Sequence, residues 1–446
     1  MKETLKAVKK QIDLEKRYCF PQNISVVNFK GRHIVISVDT LNWLVLENKK
    51  QLSVFQFLKN NSIRNTLKEF AENEYDVKFV ITQVEAKDFE NTDVTQVSKK
   101  RVQIHLTNNC NLRCPHCYMF SGHSRENELT TDELHKILSC LKKEGWNAVT
   151  FTGGEICMRK DFYDIIEYAK KEGYTIQLLT NGTMWTQKLI SKISPLIDMI
   201  QISIDGFDEK ENSKIRGKGN FAKALKTVDV FAKSGIQTEV AITPFFDDEL
   251  IAYKENFSNF ALDLLSKYDH RNFRIKFTAD LLDGREIHFS AKQKKQYEKI
   301  MTDIYHLCYG EQIEDMSFID AIKKKRLFNN CSYGNLCINS EGDVFLCGRL
   351  TLLKPIANIR KDSFSKIVEI SKKAHYLSEI NHFQPCRNCE LKNICGGGCR
   401  ITYFPEFTEK DVLTMDMKSI SPRKCSKKNK EFYYDLMIRT NQKLFK

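Results

Sequence analysis

The sequence of 446 residues contains no uninterrupted apolar run of the roughly 18 residues that a membrane-spanning helix needs. The N-terminal stretch, MKETLKAVKKQIDLEKRYCF, carries charges throughout and lacks the apolar centre of a secretory signal. Glycine and proline are scarce, at 19 and 8 residues, which excludes a low-complexity chain. These absences predict a folded cytoplasmic protein with no membrane partner, of a length that suits two or three domains.

No arginine-rich run occurs either, although basic residues outnumber acidic ones by 70 to 57, a formal net charge of +13. The lysines are spread along the chain rather than gathered in a patch of the kind that binds nucleic acid. We therefore expect no nucleic-acid partner. An anionic partner such as an acidic peptide remains compatible with the charge.

Cysteine, in contrast, is abundant, with 15 residues. Disulfides are rare in a reducing compartment, so clustered cysteines there predict metal sites. Three lie within one short segment, at Cys110, Cys114 and Cys117, and eight more follow residue 325. The remaining four are Cys19, Cys140, Cys157 and Cys308, of which we expect Cys140 and Cys157 to pack as small apolar residues.

The first zone of the chain, 1–95, combines strands with short helices. Two β-branched runs, 24–29 and 33–38, flank Gly31 and Arg32 and predict a hairpin. Apolar spacing then predicts short helices at 54–59 and 63–72 and a last apolar segment at 77–83. This order predicts a small winged-helix-like domain.

Residues 98–320 alternate between strand-like and helix-like patterns. The strands are expected at 101–107, 147–152, 174–180, 198–204, 236–243 and 272–278. The helices are expected at 131–143, with Thr131 as N-cap, and at 161–172, 186–193, 220–234 and 247–267. Six such units predict an α/β fold, a parallel sheet curled into a partial (β/α)6 TIM-like barrel. Chemistry in such a sheet lies at the carboxyl ends of the strands, and the segment of Cys110 follows the first strand.

The last zone, 325–446, shows little periodicity and carries eight cysteines. We expect metal, more than an apolar core, to hold it together as a cysteine-rich domain.

The segment of Cys110, Cys114 and Cys117 offers three soft thiolate ligands, whereas a 4Fe-4S cluster normally takes four, so one iron would stay open. A zinc site is the alternative for three close cysteines. The spacing, with Tyr118 next, resembles the CxxxCxxC signature of the radical S-adenosylmethionine (SAM) superfamily. Gly153-Gly154-Glu155, at the end of the second strand, resembles the GGE motif of that family and favours iron over zinc.

The resemblance implies which residues bind the cofactors. The three cysteines would hold a 4Fe-4S cluster whose open iron binds SAM, and Gly153, Gly154 and Glu155 would meet the ammonium group of SAM. Ser203, after the fourth strand, matches a contact to the ribose, and Arg216 matches the arginine that binds the methionine carboxylate. An ordinary strand-end hydroxyl and a solvated arginine are the alternatives for these two residues, and Asn181 could line the same site or only form a turn.

The resemblance also implies a mechanism. An electron from the cluster, delivered by a donor such as flavodoxin or ferredoxin, would cleave SAM into methionine and a 5′-deoxyadenosyl radical. That radical would remove a hydrogen atom from the substrate. The cofactors supply this chemistry, and the protein positions them and excludes water.

The eight C-terminal cysteines resemble the SPASM extension of radical SAM enzymes in their spacing and in the position of Gly342. The resemblance implies two auxiliary 4Fe-4S clusters with interleaved ligands, and two zinc sites are the alternative. The first cluster would use Cys331, Cys337, Cys347 and Cys399, and the second Cys386, Cys389, Cys395 and Cys425.

The resemblance to SPASM enzymes implies a peptide or protein substrate. Residues 1–95 resemble the recognition element of ribosomal-peptide (RiPP) maturases, which takes the leader of a precursor peptide as an added strand, although a packing extension is the alternative. Cys347 is followed by Gly348 and Arg349 instead of the aspartate of sulfatase-maturing relatives. Thioether formation and carbon–carbon crosslinking remain, and the GGE and Cys395–Cys399 segments favour a thioether. A non-catalytic iron–sulfur electron carrier and a zinc-stabilised binding protein are alternatives of another class.

Overall fold

The computed structural model describes residues 13–40, 42–90, 100–279, 281–310, 331, 333–351, 353–382, 386–398 and 425–445. The chain divides into two units. The first unit comprises residues 1–98, 312–332 and 376–446, and the second comprises 99–311 and 333–375. Each unit contains segments that are distant in sequence. The division into three consecutive domains, 1–95, 98–320 and 325–446, therefore remains a prediction.

The elements are numbered in chain order. The strands are β1 Ile24–Phe29, β2 Arg32–Ser37, β3 Asn42–Leu46, β4 Arg101–His105, β5 Ala148–Thr152, β6 Thr175–Thr180, β7 Met199–Ser203, β8 Gln237–Ile242, β9 Phe273–Phe277, β10 Cys337–Ile338, β11 Asp343–Phe345 and β12 Ala357–Asn358. The α-helices are α1 Lys49–Leu58, α2 Ile63–Glu69, α3 Glu74–Ala86, α4 Thr131–Lys143, α5 Phe162–Lys171, α6 Gln187–Ile193, α7 Glu209–Arg216, α8 Phe221–Lys233, α9 Lys254–Lys267, α10 Ala291–Tyr309, α11 Phe364–Ser378, α12 Lys392–Cys395 and α13 Lys427–Phe445.

The first unit contains an antiparallel sheet in the order β1-β2-β3, of which β2 and β3 are buried on both faces. Because side chains alternate along a strand, Val35 and Leu44 pack against α1 and α3 on one face. Ile34 and Trp43 pack on the other face against apolar residues of α12 and α13. The predicted hairpin is present, and β3 adds a third strand that the sequence patterns did not predict. A winged-helix-like form for this part remains a prediction.

The second unit contains six parallel strands, β4 to β9, that neighbour one another in sequence order. All six coincide with the predicted strands to within one or two residues at each end. On the side of β4, β10 pairs in parallel and β11 and β12 continue antiparallel. The mixed α/β class with a parallel sheet is therefore confirmed. The closure of the sheet into a partial barrel remains a prediction.

The helices of the second unit differ from the sequence expectation in one N-cap, in one boundary and in helices that were not predicted, which include α7, α10 and α11. The N-cap of α4 is Thr130, not Thr131, because the Thr130 hydroxyl accepts from the backbone N–H of Glu133 in a reciprocal capping box. Helix α9 begins at Lys254 rather than at residue 247. Helix α7, which ends at Arg216, was not predicted because most of its side chains are polar.

The C-terminal zone is more regular than expected. Helix α13 contributes Tyr434, Met437 and Ile438 to an apolar cluster with β2 and β3, and their spacing places them on one helical face. An apolar core, and not metal alone, therefore contributes to the stability of this zone. None of the helices in the described ranges is long and apolar enough to cross a membrane.

Candidate active site

The loop that carries Cys110, Cys114 and Cys117 follows β4 and is closed by its own backbone. The Cys110 N–H donates to the Gly122 carbonyl over 3.1 Å, and the Cys117 N–H donates to the Cys114 carbonyl over 3.2 Å. The Glu128 carboxylate fixes the entry to this loop by accepting from the Asn108 N–H at 2.6 Å. The thiols are therefore held on a folded turn rather than on an extended segment.

Gly153 and Gly154 allow this loop to approach the end of β5. The Gly154 N–H donates to the Thr107 carbonyl over 2.8 Å, and the Glu155 N–H donates to the Asn109 carbonyl over 2.8 Å. A Cβ on Gly154 would lie 2.2 Å from the Asn109 carbonyl oxygen, which leaves no room for any side chain. Gly153 adopts φ +145°, which L-residues rarely adopt. The two glycines thus position the cysteine loop on the sheet.

Replacing Gly154 with alanine should therefore displace the cysteine loop. We expect cluster content and SAM cleavage to fall by about 10-fold or more, because backbone atoms and not a flexible side chain block the new methyl group. Iron analysis and 5′-deoxyadenosine assay measure both losses. Gly122→Ala is the matched control, since its Cβ would meet only the Arg113 side chain at 3.6 Å. Equal activity of the two variants would contradict the proposed role of Gly154.

A cavity of about 290 Å³ opens beside the cysteine loop at the carboxyl ends of the parallel strands. Its wall brings together most of the residues predicted from the sequence: Cys110, Cys114, Cys117, Tyr118, Gly153, Gly154, Ser203 and Arg216. Other residues on the wall were not predicted, among them His116, Gln201, Thr243 and Leu281. Residues more than 100 positions apart in sequence therefore share one site.

Glu155 is buried and is not on the cavity wall. Its carboxylate accepts from the Thr180 hydroxyl and from the Asn181 N–H, each over 2.7 Å. Burial raises the pKa of Glu155, and these two donors partly offset the increase. Glu155 thereby joins the end of β5 to the end of β6. A direct contact between this carboxylate and SAM remains a prediction.

Arg216 is held on the cavity wall by Asp205. The Arg216 Nε atom lies 2.6 Å from the Asp205 Oδ2 atom, and the two side chains are 10% and 1% exposed. Asp205 also accepts from the Thr243 N–H over 3.0 Å, and His116 Nε2 lies 3.7 Å from the same Oδ2 atom. Burial would lower the pKa of Arg216, but the adjacent Asp205 outweighs it and the pKa is raised. The guanidinium therefore stays charged in the site.

The wall of this cavity fits the ligands that the resemblance implies. Thiolates are the ligands that iron–sulfur clusters take, and a guanidinium and a hydroxyl are suited to an amino acid attached to a nucleoside. The volume is near the lower end of the range for small-molecule sites, about 300–1,000 Å³. Burial raises the pKa of the Cys110 thiol to about 11, so a cluster that binds this sulfur has to displace a proton.

Four cysteines of the first unit surround a second cavity of about 130 Å³. They are the complete ligand set predicted for the second auxiliary cluster: Cys386, Cys389, Cys395 and Cys425. The Asn429 side-chain amide donates to Cys425 Sγ over 3.8 Å, and the Leu391 N–H donates to Cys389 Sγ over 3.4 Å. Four thiols around one small cavity are the donor set of a 4Fe-4S cluster.

The ligands predicted for the first auxiliary cluster are distributed differently. Cys337 and Cys347 belong to the second unit, Cys331 belongs to the first, and Cys399 lies outside the described residues. Cys337 is fully buried on β10, directly beside β4, and its Sγ atom lies 3.6 Å from His105 Nε2. A shared cluster of these four cysteines remains a prediction.

The structure also identifies residues that sequence reasoning missed. Asp205 pairs with Arg216 of the cavity wall, His116 lines that wall, and Glu128 fixes the entry to the cysteine loop. Asp205 stands two residues after Ser203, so the strand-end motif contained the signal, whereas nothing in the sequence indicated Glu128. Cys157 packs against the apolar core, in agreement with its predicted role, and Cys308 is buried there too.

Family models match two regions of the chain. The model of the radical SAM superfamily matches residues 104–255, and the model of SPASM, an iron–sulfur cluster-binding domain, matches residues 330–390. The first match includes Cys110, Cys114 and Cys117, and the second includes Cys331 and Cys389. The zinc-site and electron-carrier alternatives are not supported by these matches.

Individual proteins extend the comparison. The mycofactocin maturase MftC of Mycolicibacterium smegmatis is 28% identical over 312 residues, 67% of this chain and 77% of MftC. The antilisterial bacteriocin subtilosin biosynthesis protein AlbA of Bacillus subtilis is 26% identical over 302 residues, 66% of this chain and 65% of AlbA. Native anSMEcpe, solved with bound AdoMet (SAM) and a peptide, has a similar fold, with a TM-score of 0.54 and 17% identity over 77% of this chain and 99% of that one. The chain therefore contains a radical SAM domain over residues 104–255 and a SPASM iron–sulfur cluster-binding domain over residues 330–390.

Proposed function

We propose that this enzyme installs a thioether crosslink, from a cysteine sulfur to a carbon atom, in a ribosomally made precursor peptide. The observation that carries the proposal is the cavity in which the three-cysteine loop, Gly153, Gly154, Ser203 and Arg216 meet. When bound, the cluster and SAM together supply a 5′-deoxyadenosyl radical that removes a hydrogen atom from the peptide.

Different residues of the cavity bind and orient different parts of the cofactors. Cys110, Cys114 and Cys117 would hold the cluster, and backbone hydrogen bonds fold the turn that carries them. Arg216 offers a charged fork to the methionine carboxylate, and Ser203, at the end of β7, offers a hydroxyl to the ribose. Apolar side chains on the cavity wall, such as Leu179 and Leu281, would exclude water from the reacting atoms.

Two auxiliary clusters, and so three 4Fe-4S clusters in all, complete the proposal. The cavity of Cys386, Cys389, Cys395 and Cys425 supports the second auxiliary cluster. The pairing of β10 with β4 supports a first auxiliary cluster close to the active site, because it places Cys337 opposite Gln103, two residues before His105. Forming the crosslink removes two hydrogens from the peptide, which is an oxidation. A redox group near the peptide would accept the electron that this oxidation releases.

The names of the relatives support a peptide substrate. MftC is a maturase and AlbA takes part in the biosynthesis of the bacteriocin subtilosin. We propose that residues 1–95 bind the leader of the precursor, and that a flavodoxin or ferredoxin delivers electrons. Carbon–carbon crosslinking is the alternative product, since these relatives do not share one named reaction.

Co-production with the short peptides encoded beside the gene tests the proposal. We expect one cysteine-bearing peptide to lose two hydrogens and to lose one alkylatable thiol. Mass spectrometry before and after iodoacetamide treatment measures both changes, and co-production with Cys114→Ala is the control. Loss of two hydrogens with the thiol retained would favour a carbon–carbon bond, and an unchanged mass for every such peptide would contradict the crosslinking proposal.

A further inference from the structure

We propose that Asp205 is a positioning residue that fixes Arg216 for the carboxylate of SAM, an inference that rests on the proposed function. Neither the sequence patterns nor the family motifs assign this residue a role. Its side chain is 1% exposed and is not on the cavity wall, whereas Arg216 is. Asp205 therefore acts on the ligand through wall residues that it contacts, and Arg216, at 2.6 Å, is nearer to its carboxylate than His116, at 3.7 Å.

Asp205 has contacts with several other residues, and these contacts hold its carboxylate beside Arg216. The Oδ1 atom accepts from the Thr243 N–H after β8, at 3.0 Å, and the Oδ2 atom lies 2.6 Å from Arg216 Nε. The backbone N–H of Asp205 donates to Asn212 Oδ1 on α7 over 3.0 Å. A Cβ on Gly206 would lie 2.0 Å from the Asn212 N atom, so α7 packs directly on this turn. The ion pair thus joins a helix to two strand ends.

The geometry leaves part of the guanidinium available. A guanidinium presents five N–H donors in a planar fork, of which Asp205 engages the Nε side. Within the described residues, no other ion pair or side-chain hydrogen bond of the Arg216 guanidinium is present. The Nη edge can therefore bind a second carboxylate in the bidentate manner that such pairs favour. Asp205 also neutralises the buried cation while no ligand is bound.

A comparison of two ligands separates this role from a general structural one. SAM carries the methionine carboxylate, and decarboxylated SAM lacks it but keeps the sulfonium, the amine and the adenosine. For Asp205→Asn we expect the Kd for SAM to rise by about 10-fold or more. The Kd for decarboxylated SAM should stay within about twofold of wild type, because that ligand does not use Arg216. Anaerobic equilibrium dialysis of the iron-loaded enzyme without reductant measures both constants.

Two further variants control the experiment. Asp247→Asn removes a partly exposed carboxylate whose Oδ2 atom lies 2.8 Å from the Nζ atom of Lys214, a residue of α7 like Arg216. This variant should leave both Kd values unchanged. Arg216→Ala should weaken SAM at least as much as Asp205→Asn, and adding Asp205→Asn to it should cause no further loss. If Asp205→Asn loses iron or stability, Asp205→Glu replaces it, because this variant keeps the charge but shifts its position. The Kd for SAM should then rise by a smaller factor, and the Kd for decarboxylated SAM should again stay unchanged.

Three outcomes would overturn the inference. These are an unchanged SAM affinity in Asp205→Asn, equal losses for the two ligands, and additive losses in the double variant. A wild-type enzyme that binds iron but no SAM would instead contradict the proposed function. The failures of the two proposals are therefore distinguishable in one set of titrations.

Discussion

Replacement of Cys110, Cys114 and Cys117 with alanine is expected to abolish the formation of 5′-deoxyadenosine from SAM. The three thiols line the cavity that also contains Ser203 and Arg216, where we propose that SAM binds. Iron content should fall by about four atoms per chain, the content of one cluster. Iron analysis and anaerobic chromatography of the reaction products measure the two effects.

Cys19→Ala is the control for this variant. Cys19 is exposed in the first unit and lies outside both cavities, so its loss should change neither iron content nor product. Residual formation of 5′-deoxyadenosine above the level without enzyme would show that SAM is cleaved elsewhere. That result would contradict the assignment of the active site.

Replacement of Cys386 and Cys389 with alanine should have a different result. Both thiols line the second cavity, which belongs to the first unit, whereas the cavity of Cys110, Cys114 and Cys117 belongs to the second unit. We expect iron content to fall by about four atoms, cleavage of SAM to continue, and the crosslinked peptide to disappear. Product analysis by mass spectrometry, alongside the 5′-deoxyadenosine assay, separates the two steps.

Asn388→Ala is the matched control, because Asn388 lies between the two cysteines on the same cavity wall and carries no thiol. This variant should keep its iron and its product. Survival of the crosslinked peptide in the double cysteine variant would make the second auxiliary cluster dispensable. Loss of SAM cleavage together with the product would contradict the separate roles of the two cavities.

The parallel strands could be predicted from the sequence because the signals were local. Each strand is a short apolar run, and a helix such as α4 shows its buried face through the spacing of Leu134, Ile137 and Leu138. The membership of Cys110 and Gly153 in one site followed from the same pattern, since the carboxyl ends of parallel strands meet at one edge.

Other features depend on contacts that the sequence does not reveal. Helix α7 has one strongly apolar buried residue, Ile215, so no apolar period indicated the helix that carries Arg216. The hydrogen bonds that the Glu155 carboxylate accepts from Thr180 and Asn181 form only when two strand ends come together. The burial of β2 and β3 against α13 joins segments that are several hundred residues apart.

The formation of 5′-deoxyadenosine by the wild-type enzyme tests the central claim most directly. The protein is purified anaerobically, reduced and mixed with SAM, and its metals are counted in the same sample. The account predicts a brown protein with about twelve iron atoms per chain that converts SAM to methionine and 5′-deoxyadenosine. A colourless, zinc-loaded protein that leaves SAM intact would contradict it.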